Sequence, residues 1–289
     1  MRYAEFVFYT LAGNVRRVSH RLEKPFGRDM KMLLGILADV HEDIIRLEES
    51  IDIFNDRHVD EIICLGDIVG FCVPYYSYLK TRDSNKVAEW VREICSISVI
   101  GNHDLYAIRK TPVNSERFKY PENWYDLDYN TRKEISNGKL WLYEDSELSS
   151  LLNYDNKEYI RTLPEYLIQD YGEYKILYSH YFYPDVTGCL SIIIKDISEL
   201  RQHFEFMKQN ECLYAFSGND HYQGIKVFME DSIMEIKLGE KCILPDKHLW
   251  LHIPAVANGT NQNGIAIYNT DTREIEAIPL NTPPHTYKK

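Results

Sequence analysis

With 289 residues and 44% hydrophobic content, the chain has enough apolar material for a sizeable core, built as one large α/β domain or as two smaller ones. A formal net charge of -11 disfavours a broad nucleic-acid surface, and no apolar run reaches the length of a membrane span, so neither partner is expected. The six cysteines, Cys64, Cys72, Cys95, Cys189, Cys212 and Cys242, contain no C-x-x-C pair, which points away from a zinc knuckle or a secreted disulfide framework and toward a reducing cytoplasm.

Residues 1–30 precede the first convincing strand. There Arg2 is followed by a short apolar run that Glu5 interrupts, so a loosely held extension, an added strand or an upstream start ahead of Met30 and Met32 is expected rather than a targeting segment. From Lys31, KMLLGILADVHED begins as a strand buried on both faces and then turns abruptly polar. Ile44, Ile45, Leu47, Ile51 and Phe54 follow at near-helical spacing, EIICLGDIVG is a second strand, VAEWVREIC a helix, and SISVIGNHD a third strand. Strand-helix rounds whose strands each emit polar residues at the C-terminal end predict an α/β sheet with a site along that edge.

Residues 105–170 are richer in tyrosine, asparagine and charge, with helical stretches at YNTRKEISNGKLWL and NKEYIRTLPEYL, and predict a mostly helical insertion or cap. YKILYSHYF and CLYAFSGNDH return to strands around a helical DISELRQHFEFMKQNE. GIKVFME, SIMEIKL and GIAIYNT then alternate like antiparallel strands of a second sheet. The expected organisation is an extension (1–30), one domain (31–280) with its insertion at about 105–170, and a tail (281–289).

Polar clusters end the strands: Asp39-x-His41, Gly66-Asp67 with Gly70, Gly101-Asn102-His103-Asp104, His180, and Gly218-Asn219-Asp220-His221. Each alone has an ordinary explanation as a hydrogen-bonded loop. Their recurrence at successive strand ends brings Asp, Asn and His to one edge, where a mixed nitrogen and oxygen donor set can close around a divalent ion. His20, His58, His203, His248 and His252 belong to no such cluster and read as surface or packing residues. Most of the 22 tyrosines read the same way, although Phe71, Tyr75 and Tyr76 could line a cleft just after Asp67. Gly66, Gly70 and Gly101 fit tight turns at the site.

The order DVH, GDIVG, GNHD, a lone histidine after a strand, and a final G-x-x-H resembles the calcineurin-like metallophosphoesterase superfamily across about residues 31–280. GDIVGF, YIRTLPEYL and NGTNQNGIAIYNTDTREIEAI are similar to its bacterial and archaeal phosphodiesterase-like branch. The resemblance implies a four-layer α/β/β/α sandwich of two mixed sheets flanked by helices. It implies two divalent metal ions, of manganese, iron, zinc, nickel or magnesium, with manganese favoured. Carried over by position, Asp39, His41 and His221 bind the first ion, Asn102 and His180 the second, and Asp67 bridges. The implied reaction is hydrolysis of a phosphate monoester or diester on a small molecule, by a hydroxide between the ions. His103 becomes the proton donor or phosphoryl clamp, with Asp104 orienting its ring and Asn102 also touching substrate.

One position departs from the pattern. The superfamily's last motif reads Gly-His-x-His, whereas this chain has Gly218-Asn219-Asp220-His221. Asn219 can offer an amide oxygen, harder than imidazole nitrogen but on a shorter side chain, and Asp220 could swing in instead. A weak, exchangeable second ion is expected. The alternative is a catalytically impaired regulatory module that binds metal or phosphate. Protein serine/threonine phosphatase and dinucleoside polyphosphate hydrolase stay open as activities.

Overall fold

A computed structural model describes residues 7–11, 14–18, 31–192, 194 and 196–281. His20 and the rest of the expected extension and tail lie outside the described residues. In chain order the strands are β1 (Val7–Leu11), β2 (Asn14–Val18), β3 (Leu33–Leu37), β4 (Glu61–Cys64), β5 (Phe71–Cys72), β6 (Cys95–Ser98), β7 (Glu147–Leu148), β8 (Tyr166–Asp170), β9 (Lys175–Ser179), β10 (Cys212–Ser217), β11 (Ile225–Phe228), β12 (Ile233–Ile236), β13 (Lys241–Ile243), β14 (Leu249–His252), β15 (Gly264–Asn269) and β16 (Glu274–Pro279). The helices are α1 (Ile44–Asp56), α2 (Ser84–Ile94), α3 (Asn102–Ala107), α4 (Tyr129–Ser136), α5 (Tyr154–Thr162) and α6 (Arg201–Gln209). β1 and β2 form a hairpin of their own.

Two six-stranded mixed sheets carry the fold, ordered β13-β16-β15-β3-β4-β6 and β12-β11-β14-β10-β9-β8. β3, β4 and β6 run parallel in the first sheet, and β9, β10 and β14 run parallel in the second. Strand periodicity of two separates the layers. Leu34 and Ile36 of β3 point between the sheets, where they meet Tyr178, Phe216, Leu251 and Tyr268, while Leu37 points outward to Leu47 of α1 and Val91 of α2. On the far side, Leu177, Ala215 and Trp250 pack on Phe204 and Met207 of α6. The result is the α/β/β/α sandwich, and its inter-sheet space takes up several tyrosines whose hydroxyls pair there. Tyr171 meets Tyr178 at 2.8 Å, and Tyr174 meets Tyr268 at 2.7 Å.

Three segments depart from the sequence expectation. The alternating strands do not make one new sheet: β11 and β12 extend the sheet of β9 and β10, whereas β15 and β16 join β3. The cause is β14, a fully buried LWLH segment without alternation, which pairs parallel to β10 and lets the chain cross between the sheets. The YIRTLPEYL segment is half helix and half strand. Pro164 holds Leu163 extended, α5 stops at Thr162, and Tyr166 begins an edge strand against β9. The stretch 105–170 is therefore less helical than expected, since β7 pairs with β5 and α5 lies over α2 in the outer layer.

Gly35 lets α1 sit this close to the sheet: a β-carbon there would lie 2.8 Å from the Phe54 ring, which is 1% exposed. Gly35→Ala is expected to cost about 1–3 kcal/mol through overpacking, read as a lower urea midpoint with the m-value unchanged. An unshifted midpoint would mean that Phe54 is not wedged against β3.

Candidate metal centre

The polar clusters come together across both sheets rather than along the edge of one. β3, β4 and β6 deliver Asp39, His41, Asp67, Asn102 and His103, and β9 and β10 deliver His180, Asn219 and His221. The turns that carry them are tight. Asp39 (φ 54°), His41 (47°), Glu42 (67°), Asp67 (52°), Asn219 (82°) and His221 (52°) all adopt left-handed backbone conformations, each costing on the order of 1–3 kcal/mol. Hydrogen bonds between the first two loops hold this strain: Asp39 N to Gly66 O at 3.1 Å, His41 N to Asp67 O at 2.9 Å, and Glu42 N to Ile68 O at 3.1 Å. Neighbouring glycines make room, because a β-carbon on Gly101 would fall 2.2 Å from Asp67 Oδ1 and one on Gly218 would fall 2.4 Å from Asp39 Oδ2.

Asp39 and Asp67 are 0% and 2% exposed, and the ion pairs they make are with imidazoles. His221 Nε2 stands 3.3 Å from Asp39 Oδ1, and His41 Nε2 stands 3.2 Å from His221 Nε2 and 3.5 Å from Asp67 Oδ2. The backbone amide of His103 donates to Asp67 Oδ1 at 2.9 Å, which leaves Oδ2 between His41 and His180. His180 Nε2 is buried 3.1 Å from that oxygen without completing a hydrogen bond. Both rings are fixed from behind, His41 Nδ1 on Gly70 O at 2.8 Å and His180 Nδ1 on Leu65 O at 2.7 Å, so each presents Nε2 to the centre. Burial disfavours imidazolium at His180, but Asp67 and Asp39 outweigh it and raise its pKa to about 10, whereas burial dominates at His41 and lowers it to about 3. These carboxylates demand cationic charge, and the convergent donors fit divalent metal ions.

Two amides, Asn102 and Asn219, converge at Gly188. Asn102 Nδ2 donates to Tyr143 Oη at 2.8 Å, and Asn219 Nδ2 donates to Asp220 Oδ1 at 3.1 Å, so both amide nitrogens are occupied. Their oxygens come to the same bare α-carbon, that of Gly188, where a β-carbon would sit 2.3 Å from Asn219 Oδ1 and 3.2 Å from Asn102 Oδ1. Asn102 Oδ1 is buried with no hydrogen-bond partner. Asn219 thus lies beside Asn102. Asp220 faces away, its carboxylate accepting from Tyr181 Oη at 3.1 Å and its amide donating to His252 Nε2 at 3.0 Å. His252, read from sequence as a packing residue, is buried and holds this loop from below.

His103 lies at the mouth of the centre, Nε2 3.9 Å from Asp67 Oδ2. Its Nδ1 pairs with Glu147 and not with Asp104, which corrects the sequence expectation. Asp104 caps α3, accepting from Gly101 N at 3.1 Å and Val69 N at 3.0 Å, so its carboxylate is committed to backbone amides. Burial opposes the imidazolium of His103, but Glu147 and Asp67 prevail and raise its pKa to about 9. Glu147 belongs to no motif and reaches His103 through the pairing of β7 with β5. A second buried carboxylate, Glu42, braces that connection: it pairs with Ser150, accepts from Gly70 N at 3.2 Å and faces Arg82 at 3.4 Å.

A cleft of about 410 Å³ opens over His103, Asn102, Asn219 and His221. Tyr75 and Tyr76 line it, while Phe71 lies beneath as core.

Residues 32–223 match the family model described as calcineurin-like phosphoesterase. An uncharacterized protein of Methanocaldococcus jannaschii is 23% identical over 151 residues, covering 52% of this chain and 50% of that one. A phosphodiesterase of the same archaeon is 30% identical over 80 residues, covering 24% and 48%. The chain therefore spans about half the length of the curated relatives it matches. In fold it is similar to a metallophosphoesterase from Sphaerobacter thermophilus (TM-score 0.59, 20% identity, 87% of this chain and 89% of that one). A hypothetical protein from Pyrococcus horikoshii OT3 is also similar (TM-score 0.53, 12% identity, 87% and 88%).

Since the folded chain assembles the donors, manganese at a hundred times its Kd is expected to raise the melting temperature by on the order of 5–10 °C, and Asp67→Asn should remove most of that rise. A midpoint indifferent to divalent cations would show that these donors do not form a metal site.

Proposed function

The chain belongs to the calcineurin-like phosphoesterase family, and we propose that it hydrolyses a phosphate ester with two divalent cations, held by Asp39, His41, Asp67 and His221 on one side and by Asp67, Asn102, His180 and Asn219 on the other. The observation that carries this reading is the placing of Asp67 Oδ2 between His41 Nε2 and His180 Nε2, with the other carboxylate oxygen tied to a backbone amide. When bound, such ions would supply Lewis acidity toward the phosphoryl oxygens and would acidify the attacking water, manganese matching the mixed donor set. Asn102 and His103 face the cleft where the ester would sit. Glu147 holds Nδ1 of His103, so the proton on Nε2 is free to go to the leaving oxygen. The second cation has one imidazole and two amide oxygens, a harder and weaker set, which supports readier exchange there. The six free thiols support a reducing, cytoplasmic setting.

The test is turnover of bis-p-nitrophenyl phosphate across added manganese. Asp67→Asn is expected to lower the rate by on the order of 10²–10³-fold. Asn219→His should reduce the half-saturating manganese concentration by at least about tenfold, the scale on which even outer ligand partners act. Activity that is flat across metal and unchanged by both substitutions would refute the dimetal reading, and a parent inert toward every ester would leave a binding module.

Glu147→Gln separates proton donation from metal chemistry. Loss of the held imidazole should cost about 10²–10⁴-fold on a diester with an alkoxide leaving group and far less on a p-nitrophenolate ester, which needs no proton. Equal losses on both would assign Glu147 to the scaffold alone.

A further inference from the structure

We infer that the cleft selects a phosphodiester whose retained arm, the one that does not leave, carries a flat, uncharged ring such as an aryl or nucleoside group. This rests on the phosphoesterase reading and names its substrate class. The centre is flanked by aromatic walls. Tyr76 lies over the first donor group, its ring 5.1 Å from that of His41, and Tyr143 lies beside the second, 4.7 Å from the ring of His103. Above them Tyr75 and Trp141 stand 56% and 51% exposed at the rim of the same cleft.

The backbone enforces that exposure. Trp141 N donates to Cys189 O at 3.2 Å, and Leu140 bridges Leu190 and is buried, so alternation turns the indole outward. Tyr75 and Tyr76 both donate to Cys72 O in a turn that sends Tyr76 under and Tyr75 out. Trp124 and Trp250 are by contrast 3% and 0% exposed and Trp90 is half-buried under Lys86, so the most exposed indole is the one at the cleft. Large rings held in the open beside a reaction centre are platforms for stacking.

Charge narrows the class. Among the described residues lining the cleft there is no lysine or arginine, and its carboxylate is Asp220. Among those residues a chain of further phosphates would meet no guanidinium or ammonium, in a chain of net charge -11. The rim loop is uncharged instead: Thr260 and Asn261 are exposed on it, and it is fixed where the amide nitrogens of Asn261, Gln262 and Asn263 donate to His221 O at 2.9 Å, Leu280 O at 2.7 Å and Val256 O at 2.7 Å. Aromatic faces with amides around them suit a neutral ring with a polar edge.

Two diesters with the same leaving group test this: thymidine 5′-(p-nitrophenyl phosphate) and ethyl p-nitrophenyl phosphate. Stacking on one side chain is expected to favour the thymidine ester in kcat/KM by about 5–150-fold. Trp141→Ala, Tyr75→Ala or their combination should bring the ratio toward one, and Trp141→Phe should keep most of it. A parent ratio near one, or a ratio untouched by the double variant, overturns the inference. If the parent cleaves neither ester, the phosphoesterase reading fails and the ring preference is read from equilibrium binding of the same two compounds. Tighter binding of the thymidine ester by the parent but not by the double variant then upholds it, and equal binding overturns it.

Discussion

Asp39 and Asp67 are ionisable groups shut away from water, and the partners that reach them are imidazoles and backbone amides. A buried carboxylate without compensation costs several kcal/mol, and imidazole compensates only while it holds a proton. The rest of the centre follows from that constraint. His180 and His103 are driven toward their charged forms, while at His41 burial prevails, with His103 and His221 adding to it, and drives the ring toward neutrality. A divalent cation satisfies the same carboxylates with more charge in less space and frees the imidazole lone pairs to act as ligands.

Crowding donors this tightly needs a backbone that most sequences avoid. The left-handed turns at Asp39, His41 and Asp67 would be unfavourable one by one, yet they lock each other through hydrogen bonds between the loops after β3 and β4. The sandwich supplies the stiffness on which this depends, since both loops grow from adjacent parallel strands whose faces are fully packed. Gly101 and Gly218 are bare for a related reason: the space for a side chain is already taken by the carboxylates of Asp67 and Asp39.

The strands, their polar ends and the meeting of those ends at one place were legible because each depends on short-range pattern: apolar runs of strand length, and Asp, Asn or His emitted just beyond them. Glu147 was not legible, because it reaches His103 through the pairing of β7 with β5, strands too short to leave a periodic signal. Asp104 misled for the complementary reason. Adjacency to His103 suggested a side-chain partner, but the third residue of a helix is placed to cap the helix's own amides. β14 was missed since a strand buried on both faces does not alternate, and with it went the sorting of β11, β12, β15 and β16 between the sheets.

Asn219 is where sequence and geometry bear on each other most directly. From the motif alone, asparagine in place of histidine reads as the loss of a ligand. Its surroundings are those of a furnished position: the amide nitrogen is taken by Asp220, the main-chain amide by Asp39 at 3.0 Å, and the oxygen passes a residue with no β-carbon. Asp220 is itself placed by Tyr181 and His252, so the orientation of Asn219 is set by residues from three strand ends. A position drifting after loss of function would need neither Gly188 bare nor a buried histidine beneath the loop. On the proposed dimetal reading, this position offers an amide oxygen where the motif has an imidazole, which would change the hardness and strength of the second group without dismantling it.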